Sequence, residues 1–323
     1  MLVFMKNLLH KTALSAERLW ESARSERQPS TPYIDPFIGY ATPAGVHMRG
    51  RVLNGKPVAD LPADSSIWSN LLNMMARFVT HELPNMEVDV SGTVTLSDEE
   101  GYFSLDLPSP PAGTAEIEAR LPGHDARVML PLVTPHAAAR FGVISDIDDT
   151  LIRTEAWSLP RNIWNTLTGN AASRQVFPDA VAFLEELHGG VNPVFYVSSS
   201  PWNLHGLLLE IFRCNGLIPG PLFLRDLGIS EDKFIKGTHG AHKGAMIDKV
   251  LEANPKLDFV LLGDTGQHDP QVYHSAIERH PSRFTSAWFR AAGRSLDAED
   301  RHWIDKIRAL GVQAQAMEAF PNN

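Results

Sequence analysis

The chain has 323 residues, 43% hydrophobic and 21% charged, which excludes disordered, fibrous and collagen-like classes and makes two domains the prior. The single cysteine, Cys214, excludes an internal disulfide framework and a cysteine-rich zinc site, and fits a reducing cytosol. A net charge of −9 argues against a basic nucleic-acid binder, and no uninterrupted apolar run reaches the ~18 residues of a membrane span.

In chain order, residues 2–27 read first as an amphipathic helix. Leu2, Met5, Leu8, Leu9 and Leu19 form an apolar stripe, and Lys6, Lys11, Arg18 and Arg24 keep it basic. Over residues 1–30, five Lys/Arg against three Asp/Glu give +2 in a chain of −9. Two readings stand for this segment: a helix at a membrane surface, and a helix packed on its own domain, with the second weighted more heavily. Lys6 and Lys11 break its apolar stretch and no small-residue cleavage site follows, so it does not read as a signal peptide. The proline-rich RQPSTPYIDP (27–36) reads as a linker.

Residues 37–140 change period. HMRGRVLNG, MEVDVSGTVTL, YFSLDLP, TAEIEARLPG and ARVMLPLV alternate apolar and polar positions between Gly, Pro, Asn and Asp breaks. The pattern predicts an all-β, sandwich-like domain over 36–136, interrupted by a helical patch, SSIWSNLLNMMARFV (65–79). From 141 to 290, FGVISDID, VNPVFYVSSS and LDFVLLGD are near-continuous apolar runs that end in polar residues. Helical stretches such as DAVAFLEELH, NLHGLLLEIF and KGAMIDKVLEAN lie between them. Strands apolar on both faces, alternating with helices, predict a parallel α/β sheet with ligands at the carboxyl ends of its strands. The last stretch, RHWIDKIRALG, reads helical.

Polar residues gather at those strand ends. The first run ends in Asp146-Ile147-Asp148-Asp149-Thr150, the second in Ser198-Ser199-Ser200, and the third in Asp264 with Asp269 five residues on; Lys243 sits at the start of the helix before the third. These are parts for phosphoryl transfer. A carboxylate can attack phosphorus and split hydrolysis into two displacements. Two acids at i and i+2 past a strand end can share the work, one attacking and the other handling protons. An anion attacking a phosphate dianion needs cations, which Lys243 and a hard, oxygen-liganded Mg²⁺ would supply. Ser198 and backbone N–H groups can hold phosphate oxygens.

The set Asp146-x-Asp148-x-Thr150, Ser198, Lys243 and Gly263-Asp264-x-x-x-x-Asp269 resembles the four motifs of the haloacid dehalogenase superfamily of phosphatases, in order. Within it, SDIDDT, VFPDAVAFLEEL, FYVSSSPWNL, LFLRDLG, HKGAMIDKVLEANP and LLGDTGQHDPQVY are similar to the actin-patch phosphatidate phosphatase catalytic domain, over about 141–290. The resemblance implies a haloacid-dehalogenase-like (Rossmannoid), three-layer parallel sheet domain over 139–323. It implies Asp146 as nucleophile and Asp148 as acid and then base. It places Thr150, Ser198 and Lys243 around the phosphate. Asp146, Asp148 (through its carbonyl) and Asp264 would hold Mg²⁺, with Asp269 a ligand or a partner of the ligands.

Several positions keep a second reading. Ser198, first after its apolar run, is favoured over Ser200, which reads as an N-cap before Pro201, and Lys243 at the helix start is favoured over Lys236 for the cationic role. His242 and His268 read more simply as structural, the His239-x-x-His242 pair is the weaker zinc alternative, and Arg225 as an ion pair. Trp157 and Trp202 are either core or a lipid-facing rim.

Asp146 and Ser198 are 52 residues apart, and Ser198 and Lys243 are 45 apart, with helix inside each interval. A short flap (153–177) fits there and a whole cap domain does not. A poorly covered site suits a phosphate on a large or membrane-bound molecule. The expectation is therefore a cytoplasmic Mg²⁺-dependent phosphatase that cleaves phosphatidic acid to diacylglycerol and phosphate, with peripheral membrane contact. The alternatives are a phosphatase of the same chemistry on another large phosphorylated substrate, protein or lipid, and a non-catalytic lipid- or protein-binding module that has kept the fold.

Overall fold

The computed structural model describes residues 31–54, 81–153, 176–225, 239–291 and 296–321. The basic segment 1–30, the helical patch 65–79, nearly all of the 153–177 flap, Trp157 and Lys236 lie outside the described residues. No helix among the described residues is long and apolar enough to cross a membrane.

The first sheet holds β1 (Pro32–Pro36), β2 (Gly39–Thr42), β3 (Gly45–Asn54), β4 (His81–Glu82), β5 (Glu87–Val90), β6 (Thr93–Leu96), β7 (Tyr102–Leu107), β8 (Glu116–Leu121) and β9 (Ala126–Val133). Their order is β1-β3-β2-β9-β8-β5-β6, with β4 and β7 also on β3. Every pair is antiparallel except β2 with β9. The alternation predicted for β8 is observed residue for residue: Ile117, Ala119 and Leu121 are buried, and Glu116, Glu118 and Arg120 are exposed. Inward residues of β3, β5, β7, β8 and β9 join one core around Met48, Val52, Val88, Phe103 and Leu130. Residues 32–36, which their prolines assign to a linker, form β1 instead. A strand with Pro at both ends can pair only where its missing N–H groups are not needed, and β1 lies at the sheet's edge.

The second sheet is parallel throughout. Its strands are β10 (Gly142–Ser145), β11 (Val194–Pro201), β12 (Leu222–Arg225), β13 (Phe259–Asp264), β14 (Phe284–Arg290) and β15 (Gln313–Met317), in the order β12-β11-β10-β13-β14-β15. The helices between them are α1 (Pro178–His188), α2 (His205–Asn215), α3 (His239–Ala253), α4 (Asp269–Arg279) and α5 (Ala298–Ala309). The chain steps outward from β10 to β12, returns across to β13, then steps outward the other way. Crossovers of one hand put α1 and α2 on one face and α3, α4 and α5 on the other. The two cores agree. Val143, Tyr196 and Leu262 pack with α1 and α2, while their neighbours Ile144, Val197 and Leu261 pack with α3, α4 and α5. Both faces of β10, β11 and β13 are covered, which is why these strands read as continuous apolar runs.

Local signals set the helix ends. Pro178 is the first residue of α1 and Gly189, at φ 49°, closes it. Asp297 and Asp300 form a reciprocal capping box at the start of α5.

The two sheets meet along an aromatic seam. Phe37 stacks on Trp202 at 5.2 Å and lies 3.6 Å from the ring of His205, while the Arg49 guanidinium sits 4.1 Å over Trp202. Trp202 is thus a half-buried part of this junction. His205, at the start of α2, is 3% exposed, with Nδ1 4.0 Å from Asp35 Oδ2. Burial, helped by Arg49, pushes its pKa down to about 3 from 6.5. The unfolded chain therefore takes up a proton near pH 6.5 that the folded chain refuses. The stability is intact above pH 6.5 and is lost as pH falls towards 3, by about 2 kcal/mol at pH 5. In chemical denaturation, the stability lost between pH 7 and pH 5 should be smaller in His205→Phe than in wild type by about that amount; equal losses would contradict the assignment.

Candidate active site

The order of the second sheet reverses between β10 and β13, the crevice where open α/β sheets bind ligands. The acidic residues lie there. Asp146 follows β10, its N–H bonded to Leu262 O of β13 at 2.8 Å. Asp264 ends β13, and Asp269 is the first residue of α4. Ligand atoms of Asp146, Asp264 and Asp269 all lie within 4.8 Å of one another, and all three residues are fully buried.

Lys243 reaches this cluster from the first turns of α3. Its Nζ is 2.8 Å from Asp146 Oδ1 and 2.6 Å from Asp269 Oδ1. Asp269 Oδ2 accepts from the Asp264 N–H at 3.2 Å, so both Asp269 oxygens are engaged. Close packing requires Gly263 beside them: a Cβ there would lie 2.7 Å from Asp269 Oδ2 and 2.8 Å from the Tyr273 ring. Thr150 is also buried, and its hydroxyl donates to Asp146 Oδ2 at 3.1 Å, which braces that carboxylate.

Asp148 points elsewhere. Its Oδ2 accepts from Ser198 Oγ at 2.6 Å and from Ser200 Oγ at 2.7 Å. Its backbone carbonyl accepts from Gln267 Nε2 at 3.2 Å. Between it and Thr150, Asp149 takes a left-handed backbone (φ 59°), with its N–H on Ile152 O at 2.7 Å. This tight turn lets Asp148 face the end of β11 while Asp146 and Thr150 face β13 and α3.

The structure thus brings together Asp146, Thr150, Lys243, Asp264 and Asp269 in one buried group, with Asp148 and Ser198 in a second group beside it. Ser200 and Gln267 are additional members. As an N-cap Ser200 fails: the short helical turn Trp202–Leu204 is capped at Pro201 with no side-chain bond. The signal for Ser200 was present as an i, i+2 pair with Ser198 on one strand face. Gln267 carried no signal, because a side chain that meets a backbone carbonyl 119 residues away leaves no local pattern.

The electrostatics follow from burial. Three carboxylates and one lysine leave a formal −2 in a buried pocket. Burial raises the Asp146 pKa to about 8, with Asp269 and Asp148 adding to it and Lys243 opposing. Burial, then Asp269 and Asp146, raise Asp264 well above the carboxylate range. Burial alone would lower Lys243, but Asp146, Asp269 and Asp264 hold its pKa raised. Such a pocket fits a hard divalent cation. Asp264 Oδ2 accepts from Gly266 N at 2.6 Å, and its buried Oδ1 has no hydrogen-bond partner, leaving an oxygen for a metal.

Known proteins are similar to this chain over the stretch that carries the site. Residues 141–291 match the family described as phosphatidate phosphatase APP1, catalytic domain. This stretch resembles that catalytic domain. The chain is 28% identical over 162 residues to phosphatidate phosphatase APP1 of Saccharomyces cerevisiae, covering 50% of this chain and 27% of that protein. It is 25% identical over 150 residues to an uncharacterised protein of Schizosaccharomyces pombe, covering 46% and 24% respectively. The chain therefore spans about a quarter of the length of these relatives. The matched stretch begins just before β10 and ends just past β14, and contains every side chain of the cluster.

If the cluster is a cation site, a divalent cation should stabilise the fold. At tenfold excess over its Kd the gain is about 1.4 kcal/mol, a few degrees in melting temperature. Asp264→Asn should lose most of that gain, and without cation it should melt no lower than wild type, since a buried repulsion is removed. An equal cation shift in both proteins would exclude Asp264 as a ligand.

Proposed function

We propose that the chain is a phosphatidate phosphatase whose catalytic part is a haloacid-dehalogenase-like domain over 139–323, preceded by a sandwich-like accessory domain over 36–136 that β1 extends back to residue 32. The observation that carries this reading is the buried Asp146–Lys243–Asp269 arrangement beside Asp264, inside the stretch matched to a phosphatidate phosphatase catalytic domain.

Asp146 is the nucleophile. Lys243 on one oxygen and Thr150 on the other fix its rotamer, so the carboxylate enters the reaction pre-aimed. An Asp146 oxygen attacks phosphorus, the bond to the glycerol oxygen of the lipid breaks, and an aspartyl-phosphate forms. Asp148 gives its proton to the departing alkoxide, releasing diacylglycerol. It then takes a proton from the water that attacks phosphorus. The acyl phosphate opens, Asp146 is regenerated and inorganic phosphate leaves. Ser198, at the end of β11, would turn its hydroxyl to a phosphate oxygen.

Mg²⁺, bound by Asp146, Asp264 and the carbonyl of Asp148, would supply positive charge to offset that of the phosphoryl group. Asp269 supports the site by holding Lys243 and the Asp264 backbone. The Asp148 carbonyl accepts from Gln267, and its second lone pair is the one it would offer a cation.

The decisive assay is phosphate release from phosphatidate micelles with Mg²⁺. Asp146→Asn should abolish it, and Asp148→Asn should lower it by about 10²-fold or more. Activity indifferent to Asp146→Asn would sink the mechanism. Hydrolysis of small phosphate esters with none of phosphatidate would sink the lipid assignment.

A further inference from the structure

Ser198 and Ser200 converge on one oxygen, Asp148 Oδ2, at 2.6 and 2.7 Å, and Ser198 Oγ also accepts from the Ser200 N–H at 2.9 Å. A hydroxyl has a single hydrogen to donate. The hydrogen that Ser198 gives to Asp148 cannot at the same time go to a phosphate oxygen. When Ser198 binds the phosphate, Asp148 loses that donor, at the step where its aim matters most.

The backbone supports a division of labour between the two serines. Residues at i and i+2 of a strand face the same way. Between its pairings Val197↔Phe223 and Pro201↔Arg225, β11 advances four residues while β12 advances two. The extra residues form an irregularity at Ser198, Ser199 and Ser200. Such bulges bend a strand and re-aim side chains beside active sites. Here both re-aimed hydroxyls meet the same carboxylate from 50 and 52 residues away in sequence.

We propose that Ser200 is the positioning residue for Asp148: it holds the carboxyl group against the end of β11 throughout turnover, while Ser198 turns to the phosphate. With Oδ2 held by Ser200, the other oxygen is the one left to meet the leaving group. This inference rests on Asp148 acting as the acid in the reading above.

The test compares two leaving groups. The alkoxide released from phosphatidate needs a proton, whereas p-nitrophenolate leaves without one. Values of kcat/KM report on this first P–O cleavage. In Ser200→Ala, the ratio of kcat/KM on phosphatidate micelles to that on p-nitrophenyl phosphate should fall at least about tenfold, with the loss in kcat and not in KM. Ser200→Thr, which keeps the hydroxyl, should restore the ratio. Equal losses on both substrates, a loss confined to KM, or no loss would overturn the proposal. Asp146→Asn run alongside separates the two ideas: residual activity in that variant would overturn the phosphatase mechanism itself. An inactive Asp146→Asn with equal losses in Ser200→Ala would overturn only the role of Ser200.

Discussion

Three carboxylates and one ammonium share a pocket closed to solvent at the ends of β10 and β13. Burying an unpaired charge costs several kcal/mol, and like charges at this range add to the cost. Lys243 offsets part of it by bridging Asp146 and Asp269, and backbone N–H groups of the β13–α4 loop offset more. The remainder is a standing bias towards cations and protons, visible in the raised pKa values of Asp146 and Asp264. Much of the surrounding structure serves to hold this unfavourable group together.

The hold comes from the sheet. β10 and β13 are neighbours with both faces covered, so their ends are fixed by cores on two sides. A second brace comes from Arg290 at the end of β14. It is 3% exposed, donates to Thr150 O at 2.9 Å and to Asp179 Oδ2 at 2.6 Å, and lies 4.0 Å from the Phe177 ring. Asp179 also accepts from Phe320 N, which ties the C-terminal stretch into the same knot. Beside this knot Phe177 N donates to Leu151 O at 2.9 Å. The loop after Asp146 is therefore clamped by the start of α1, the end of β14 and the tail, and burial makes each bond costly to open.

The elements legible in the sequence were those whose environment writes a regular pattern. β8 shows period two because one face meets solvent, and β10, β11 and β13 show unbroken apolar runs because neither face does. The order and spacing of Asp146, Asp148, Lys243, Asp264 and Asp269 are legible too, since each sits at a fixed offset from a strand or helix end. β15, QAQAM, carries no strand signal of its own: Ala and Gln have little strand preference, and pairing with β14 decides the matter. β1 is hidden by its prolines. Contacts such as Gln267 to Asp148 and Arg290 to Thr150 join distant elements, and become visible only once the sheet order is known.

The seam between the sheets bears on the site through a short path. Trp202, held between Phe37 and Arg49 of the first sheet, lies two residues after Ser200 on the continuous chain leaving β11. Pro201 between them has a fixed φ of −73° and lacks an N–H, which removes one of the backbone rotations between the serine and the indole. The irregular end of β11 is thus pinned from both sides, by Asp148 within the site and by the first sheet outside it. In this arrangement the junction with the first sheet lies directly beyond the strand end that carries Ser198 and Ser200, two residues along the chain from the serine that meets Asp148.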